Sequence, residues 1–331
     1  MKERIGGIEI WRMLLILVAF LCHWRFTDAF PFLHLAGGVA VNAFFIIGGY
    51  FFFTNAQKNG AWPTLKKTFF RVMPVVVVSG LLFDLMTNRM LSEISYRTIE
   101  RLLLLDGSVL NNGAAGYPIA WFIPAYFWAL AAFAGIIALF EKKSKWIAGA
   151  VVLLSFAFLT QGGEPTRFFI SGYDDIGGAF FDLLRIPMIR ALCFTGIGVL
   201  VSGIRFDIHK KWLATLLQLL AFGFVIKCLL FGYLTSDRGM MNIAFSAATV
   251  AALILFAENK DYISQAMNFI GKKATLISRY SLFVYVFIIC AMHVTAHGVR
   301  DSALNGLEAL GIAIALAVAY YHAEQFVRKK L

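Results

Sequence analysis

Residues 36–54 read AGGVAVNAFFIIGGYFFFT, with no lysine, arginine, aspartate or glutamate among them. A helix needs about 20 predominantly apolar residues to cross the hydrocarbon core of a bilayer, so this stretch predicts a transmembrane helix. Nine others follow by the same rule, at roughly 9–26, 69–87, 117–140, 145–160, 183–204, 212–233, 239–257, 276–298 and 303–327. The first of these is interrupted by charge, and 145–160 is short.

The composition points the same way. Over 331 residues the chain is 60% hydrophobic and 15% charged, with a mean hydropathy of +0.75. Soluble domains run near half apolar and a quarter charged, and a water-soluble globule of this length could not hide so much apolar side chain. A soluble enzyme, a disordered chain and a secreted disulfide scaffold are excluded. Cys22, Cys193, Cys228 and Cys290 all lie in apolar stretches without CxxC spacing and read as packing residues. Lys2 and Arg4 precede an apolar run as in a signal peptide, but Glu9 and Arg12 break that run and no small-x-small cleavage site follows. The run is therefore expected to stay as the first membrane helix. The expected fold is all-α, a polytopic membrane helix bundle of about ten transmembrane helices, with residues 1–331 forming one integral-membrane domain.

The net charge of +11 is at first sight odd on so apolar a chain. Its distribution accounts for it. With a cytoplasmic N-terminus, the inside segments hold Lys2, Arg4, Lys58, Lys66, Lys67, Lys142, Lys143, Lys145, Arg205, Lys210, Lys211, Lys260, Lys272, Lys273, Arg328, Lys329 and Lys330. The outside loops hold only Arg25, Arg89, Arg97, Arg101, Arg167, Arg238 and Arg300. Cytoplasmic loops carry an excess of Lys and Arg, so the count orients the bundle with both termini cytoplasmic, as a multi-pass protein of the cell (plasma or inner) membrane. The charge argues for no nucleic-acid partner. Two outside segments, 88–116 and 161–182, exceed ordinary connectors and are either functional or plain links.

Ionisable residues inside membrane helices are costly and usually face a cavity or a partner. Glu9, Arg12 and His23 lie in one apolar segment. Eleven residues at about 100° each bring Arg12 and His23 onto nearly the same helix face, roughly 16 Å apart along the axis, and Glu9 is within ion-pair reach of Arg12. The stripe fits a site fed from both sides: guanidinium binds phosphate bidentately, and imidazole is the usual general base. It also fits an interfacial histidine beside Trp24 with a snorkelling arginine. Lys66, Lys67 and Arg71 can attract a polyphosphate or simply signal topology. Asp84, Arg185, Arg190, Lys227 and Arg279 fall in or beside predicted helices, and Asp174, Asp175 and Asp182 could hydrogen-bond sugar hydroxyls; the sequence assigns none of them a role.

Glu9-x-x-Arg12-x10-His23 resembles the N-terminal signature of the integral-membrane acyltransferases of acyltransferase family 3. Phe44-Phe45-Ile46-Ile47-Gly48-Gly49-Tyr50 is similar to their second-helix segment, with Gly48 where serine is common. Lys67-x3-Arg71-x2-Pro74 is similar to the basic start of their third helix, Ala120-Trp121-Phe122-Ile123 to their WF segment, and Ser281–Phe287 to a late S-x-x-[IV]-Y stretch. That late motif often ends in histidine where this chain has Ile288, which leaves His293 or His297 as substitutes only by hypothesis. The resemblance runs from the first helix to the ninth.

The resemblance implies transfer of an acyl group, most often acetyl, from coenzyme A to a hydroxyl of an extracytoplasmic or lipid-linked glycan. It implies His23 as the catalytic residue, Arg12 paired with Glu9 on the donor side, and Arg71, Lys67 and Trp121 at the donor-binding end. Acyl-CoA, the glycan acceptor and membrane lipids are the expected partners, acetyl-CoA the expected donor, and no metal is expected. Many relatives carry an esterase-like extracytoplasmic domain; with none expected here, the acceptor should come to the membrane domain itself. A transporter or flippase for a lipid-linked glycan is the alternative, but transporters often show two related halves and no such pairing is visible.

Overall fold

The computed structural model describes residues 6–23, 32–86, 122–160, 188–202, 204, 210–234, 265–266, 269–270, 280–295 and 303–330. Among them all regular structure is helical. In chain order the helices are α1 (Gly6–His23), α2 (Phe32–Asn59), α3 (Ala61–Met86), α4 (Phe122–Phe140), α5 (Ser144–Thr160), α6 (Ile189–Val201), α7 (Lys211–Leu234), α8 (Ser281–Thr295) and α9 (Ala303–Lys330). Among the described residues four stretches are long and apolar enough to cross a membrane: Val39–Asn59, Ala61–Met86, Phe122–Leu159 and Leu307–Phe326. The predicted span at 239–257 and the segments 88–116 and 161–182 lie outside the described residues, as do both chain ends.

Phe122–Leu159 is one apolar stretch but not one straight helix. A 3₁₀ turn at Glu141–Lys143 interrupts it, with Glu141 at φ 34°. Phe133 before the turn and Val152 after it both close on Gly196 of α6, so α4 and α5 fold back on each other. The charged trio Glu141, Lys142 and Lys143, all exposed, makes the reversal at a point where the chain can meet water. A single residue reverses α2 into α3. Gly60 adopts φ +85° and its N–H donates to the Ala56 carbonyl at 2.9 Å, a conformation L side chains avoid.

The bundle is organised around α2, which packs against α1 on one side, α6 on another, and α3, α4 and α7 elsewhere. The remaining strong pairings are α8 with α9, α5 with α6, and α8 with α3. Small residues let α2 and α6 approach closely. A Cβ at Gly49 would collide with the Thr195 carbonyl, and one at Gly198 with backbone of Ile46 and Tyr50. Such close contact is how apolar helices gain dispersion energy where no hydrophobic effect separates helix from lipid. Cys193 and Cys290 are buried free thiols, and the Cys290 thiol donates to the Ser79 carbonyl at 3.4 Å, tying α8 to α3.

Candidate active site

Helix α3 begins at Ala61, about two turns before the start expected at residue 69. Arg71 therefore stands about 15 Å into the helix rather than at its tip. Pro74 lies inside α3; with no N–H it leaves the Phe70 carbonyl without its usual helical donor, one residue before Arg71. Arg71, Lys66 and Lys67 are exposed and Arg12 is half-buried on α1.

Tyr126 of α4 packs against α2, with its ring 6.2 Å from that of Phe45. Its ring rests on Gly48 of α2, where an added Cβ would run into the hydroxyl and the ring edge. Gly48 thus leaves room for the tyrosine, which accounts for its departure from serine at that place in the motif.

An aromatic cluster continues from Tyr126. Phe122 stacks on it with centroids 5.9 Å apart and planes 4° from parallel. Phe122 also meets Phe45 at 4.6 Å, Phe44 at 6.0 Å and Tyr285 of α8 at 5.8 Å, all within the range of favourable aromatic pairs. Three motifs from distant parts of the chain therefore share one contact, since Phe44-Phe45, Phe122 and Tyr285 belong to separate stretches.

A second polar feature crosses the α2–α6 interface. Arg190 Nε donates to Asn42 Oδ1 at 2.7 Å, and Asn42 is fully buried. Among the described residues Asn42 Nδ2 has no hydrogen-bond partner, nor has the buried Thr195 hydroxyl. Replacing Asn42 by leucine removes the acceptor facing a charged donor in the interior. A loss of about 1–3 kcal/mol is expected, visible as a lower unfolding temperature in detergent, whereas Asn42→Asp, which keeps the acceptor, should unfold near the wild-type temperature.

The other expected residues distribute as follows. Glu9 and His23 belong to α1 by backbone, but their side chains lie outside the described residues, so their pairing with Arg12 and with substrate is not placed. Trp121, Arg185, Arg279, Asp174, Asp175, Asp182 and His297 also lie outside, as does the His293 side chain. Lys227 is exposed on α7 and Asp84 is buried at the far end of α3. Tyr126 and Asn42 were not singled out from the sequence. Asn42 had a signal, a carboxamide in an otherwise apolar span; Tyr126 had none, because its importance comes from neighbours on other helices.

A family model described as an acyltransferase domain matches residues 5–324. The chain belongs to acyltransferase family 3. No curated protein and no solved structure matches it. An acyltransferase family 3 protein with apolar helices of this length is a membrane protein, and its chemistry is acyl transfer. For that chemistry Arg12 and Arg71 offer two permanent cations able to bind phosphate oxygens, and Tyr126 a phenol able to donate or accept a hydrogen bond.

Proposed function

We propose that this protein is a membrane O-acyltransferase that moves an acyl group, acetyl in the first instance, from cytosolic acyl-CoA to a hydroxyl of an extracytoplasmic or lipid-linked glycan. The observation that carries the proposal is the match of residues 5–324 to an acyltransferase domain, with Arg12 and Arg71 standing inside helices α1 and α3. Two arginines from separate helices, both within membrane-helix sequence, are difficult to explain as topology signals. Intramembrane cations characteristically mark substrate paths. An anionic donor reaching these arginines from the cytosolic end would first pass the exposed Lys66 and Lys67.

In the proposed reaction His23 takes the proton of the acceptor hydroxyl while its oxygen attacks the thioester carbonyl. The carbon–oxygen bond of the new ester forms, the carbon–sulfur bond breaks, and the departing coenzyme A thiolate takes up the proton held by His23. General base assistance of this kind is worth about 10²–10⁴-fold. Arg12, Arg71 and Lys67 hold the donor, Glu9 sets Arg12, and Trp121 belongs to the donor-binding end; no metal is needed for any step. Mass spectrometry of surface glycans from cells with and without the intact gene tests the proposal. An acyl mass increment on a sugar should vanish on disruption, and unchanged glycans in both would refute it.

A further inference from the structure

Helices α5 and α7 open with the same pattern. Lys142 and Lys143 come just before Trp146, and Lys210 and Lys211 just before Trp212. All four lysines are exposed, and the two tryptophans are 82% and 59% exposed. Both starts lie at the end of the bundle that holds the Gly60 turn. Lys145 Nζ stands 5.3 Å from the centre of the Phe53 ring, near the end of α2. Helix α6 runs in the same direction as α2, since Arg190 meets Asn42 and Gly198 lies against Ile46 and Tyr50, so α6 also ends there. Only residues 205–209 separate Ile204 from Lys210. They span roughly 20 Å at most, too little to carry the start of α7 to the far end of a helix of about 36 Å.

From each tryptophan an exposed apolar stripe runs along the helix. On α5 it is Trp146, Ala150, Leu153 and Ala157; on α7 it is Trp212, Leu216, Leu219 and Gly223. Both follow the spacing i, i+4, i+7, i+11, which keeps one helix face. Eleven residues rise roughly 16 Å, about half of a hydrocarbon core of about 30 Å. Each stripe therefore has the length of a single leaflet, headed by an indole and a lysine pair.

This order of groups is the order of groups in a phospholipid. Indoles favour the headgroup level, and lysine stems lie along apolar surface while their ammonium groups reach outward. Four exposed lysines stand at these two starts against one described acid, Glu141. A zwitterionic lipid brings its own cation beside its phosphate, whereas an acidic lipid leaves its charge for the protein to balance. A soluble polyphosphate would meet the lysines but leave the indoles and stripes uncovered.

We infer that the start of α5 and the start of α7 each bind one acidic phospholipid, with the headgroup on the lysine pair, the glycerol region at the indole and an acyl chain along the stripe. The inference goes beyond acyl transfer and does not rest on it, because none of these residues belongs to the donor path.

Native mass spectrometry of the purified protein tests it, with dioleoyl-phosphatidylglycerol and dioleoyl-phosphatidylcholine as probes. The wild type should retain two phosphatidylglycerols in preference to phosphatidylcholine. A near-surface lysine is worth about fivefold in affinity for an acidic lipid surface. Lys142→Gln with Lys143→Gln, and Lys210→Gln with Lys211→Gln, should therefore each weaken phosphatidylglycerol at one site about 25-fold and leave phosphatidylcholine where it was. The corresponding arginine pairs, which keep the charge, should bind as the wild type does. Thermal stabilisation of the wild type by phosphatidylglycerol gives a second measurement that needs no variant. It should shrink as salt rises from about 0.1 M to about 1 M and screening tightens. Equal retention of the two lipids, a stabilisation indifferent to salt, or a preference unchanged in both glutamine pairs overturns the inference. Displacement of phosphatidylglycerol by inorganic pyrophosphate would assign the lysines to a soluble anion, and a stable dimer that sheds the lipid would assign the stripes to a second copy; either result also overturns it.

Discussion

His23→Ala is expected to lower the rate of glycan acylation by at least about 10²-fold, the lower bound for loss of a general base, without lowering the amount of folded protein in the membrane. The separation between the two effects follows from position. His23 is the last residue of α1, whereas the buried side of that helix against α2 is built from Ile8, Leu15, Ile16, Ala19 and Phe20. His23→Ala changes none of those side chains. The measurement is acyl incorporation into the acceptor at saturating donor, normalised to protein content. Full acylation by His23→Ala would remove histidine from the mechanism, and a parallel loss of folded protein would make its role structural.

The largest stability effect is expected at Gly198. Any side chain there meets the backbone of α2, since an added Cβ falls within 2.7 Å of the Tyr50 nitrogen and closer still to the Ile46 carbonyl oxygen. Backbone cannot rotate aside as a side-chain tip can, so α2 and α6 must separate. Overpacking of this kind costs about 1–3 kcal/mol and sometimes more. Gly198→Ala should fall at or above the upper end, because the same interface carries the Arg190–Asn42 hydrogen bond and the Gly49–Thr195 contact. Gly135→Ala is the matched control: no described residue lies within 4 Å of its Cβ position, and alanine favours a helix over glycine by about 1 kcal/mol. Thermal unfolding in one detergent should show Gly198→Ala well below wild type and Gly135→Ala at or above it. Equal unfolding temperatures for the two would mean that α2 and α6 do not approach as described.

The positions of the described helices were legible from the sequence because membrane insertion demands long apolar runs. The runs at 212–233 and 303–327 differ from α7 and α9 by a few residues at most. The start of α3 was not legible. Ala61–Phe70 holds Lys66 and Lys67, and an apolar-length rule finds the part of a helix that lies in hydrocarbon, not the part that extends beyond it. The break at Glu141 was legible: the expected spans 117–140 and 145–160 end and begin on its two sides, as α4 and α5 do.

The candidate site divides in the same way. Arg12 and Arg71 stand out because each is a charge in or beside an apolar run. Tyr126 does not, because an aromatic residue in such a run is unremarkable until α2 packs against it. The meeting of Phe44, Phe45, Phe122 and Tyr285 was likewise invisible along the chain, since residue separation says nothing about which faces of three helices turn together.

The central claim is that the acyl donor is taken up from the cytosolic side and delivered across the bundle. Sealed membrane vesicles of both orientations, carrying the protein and its glycan acceptor and supplied externally with acetyl-labelled coenzyme A, test it directly. Label should appear on the glycan in vesicles whose cytosolic face is outward and be absent from those of opposite orientation. Equal labelling in both orientations, or labelling only when the donor meets the extracytoplasmic face, would contradict it.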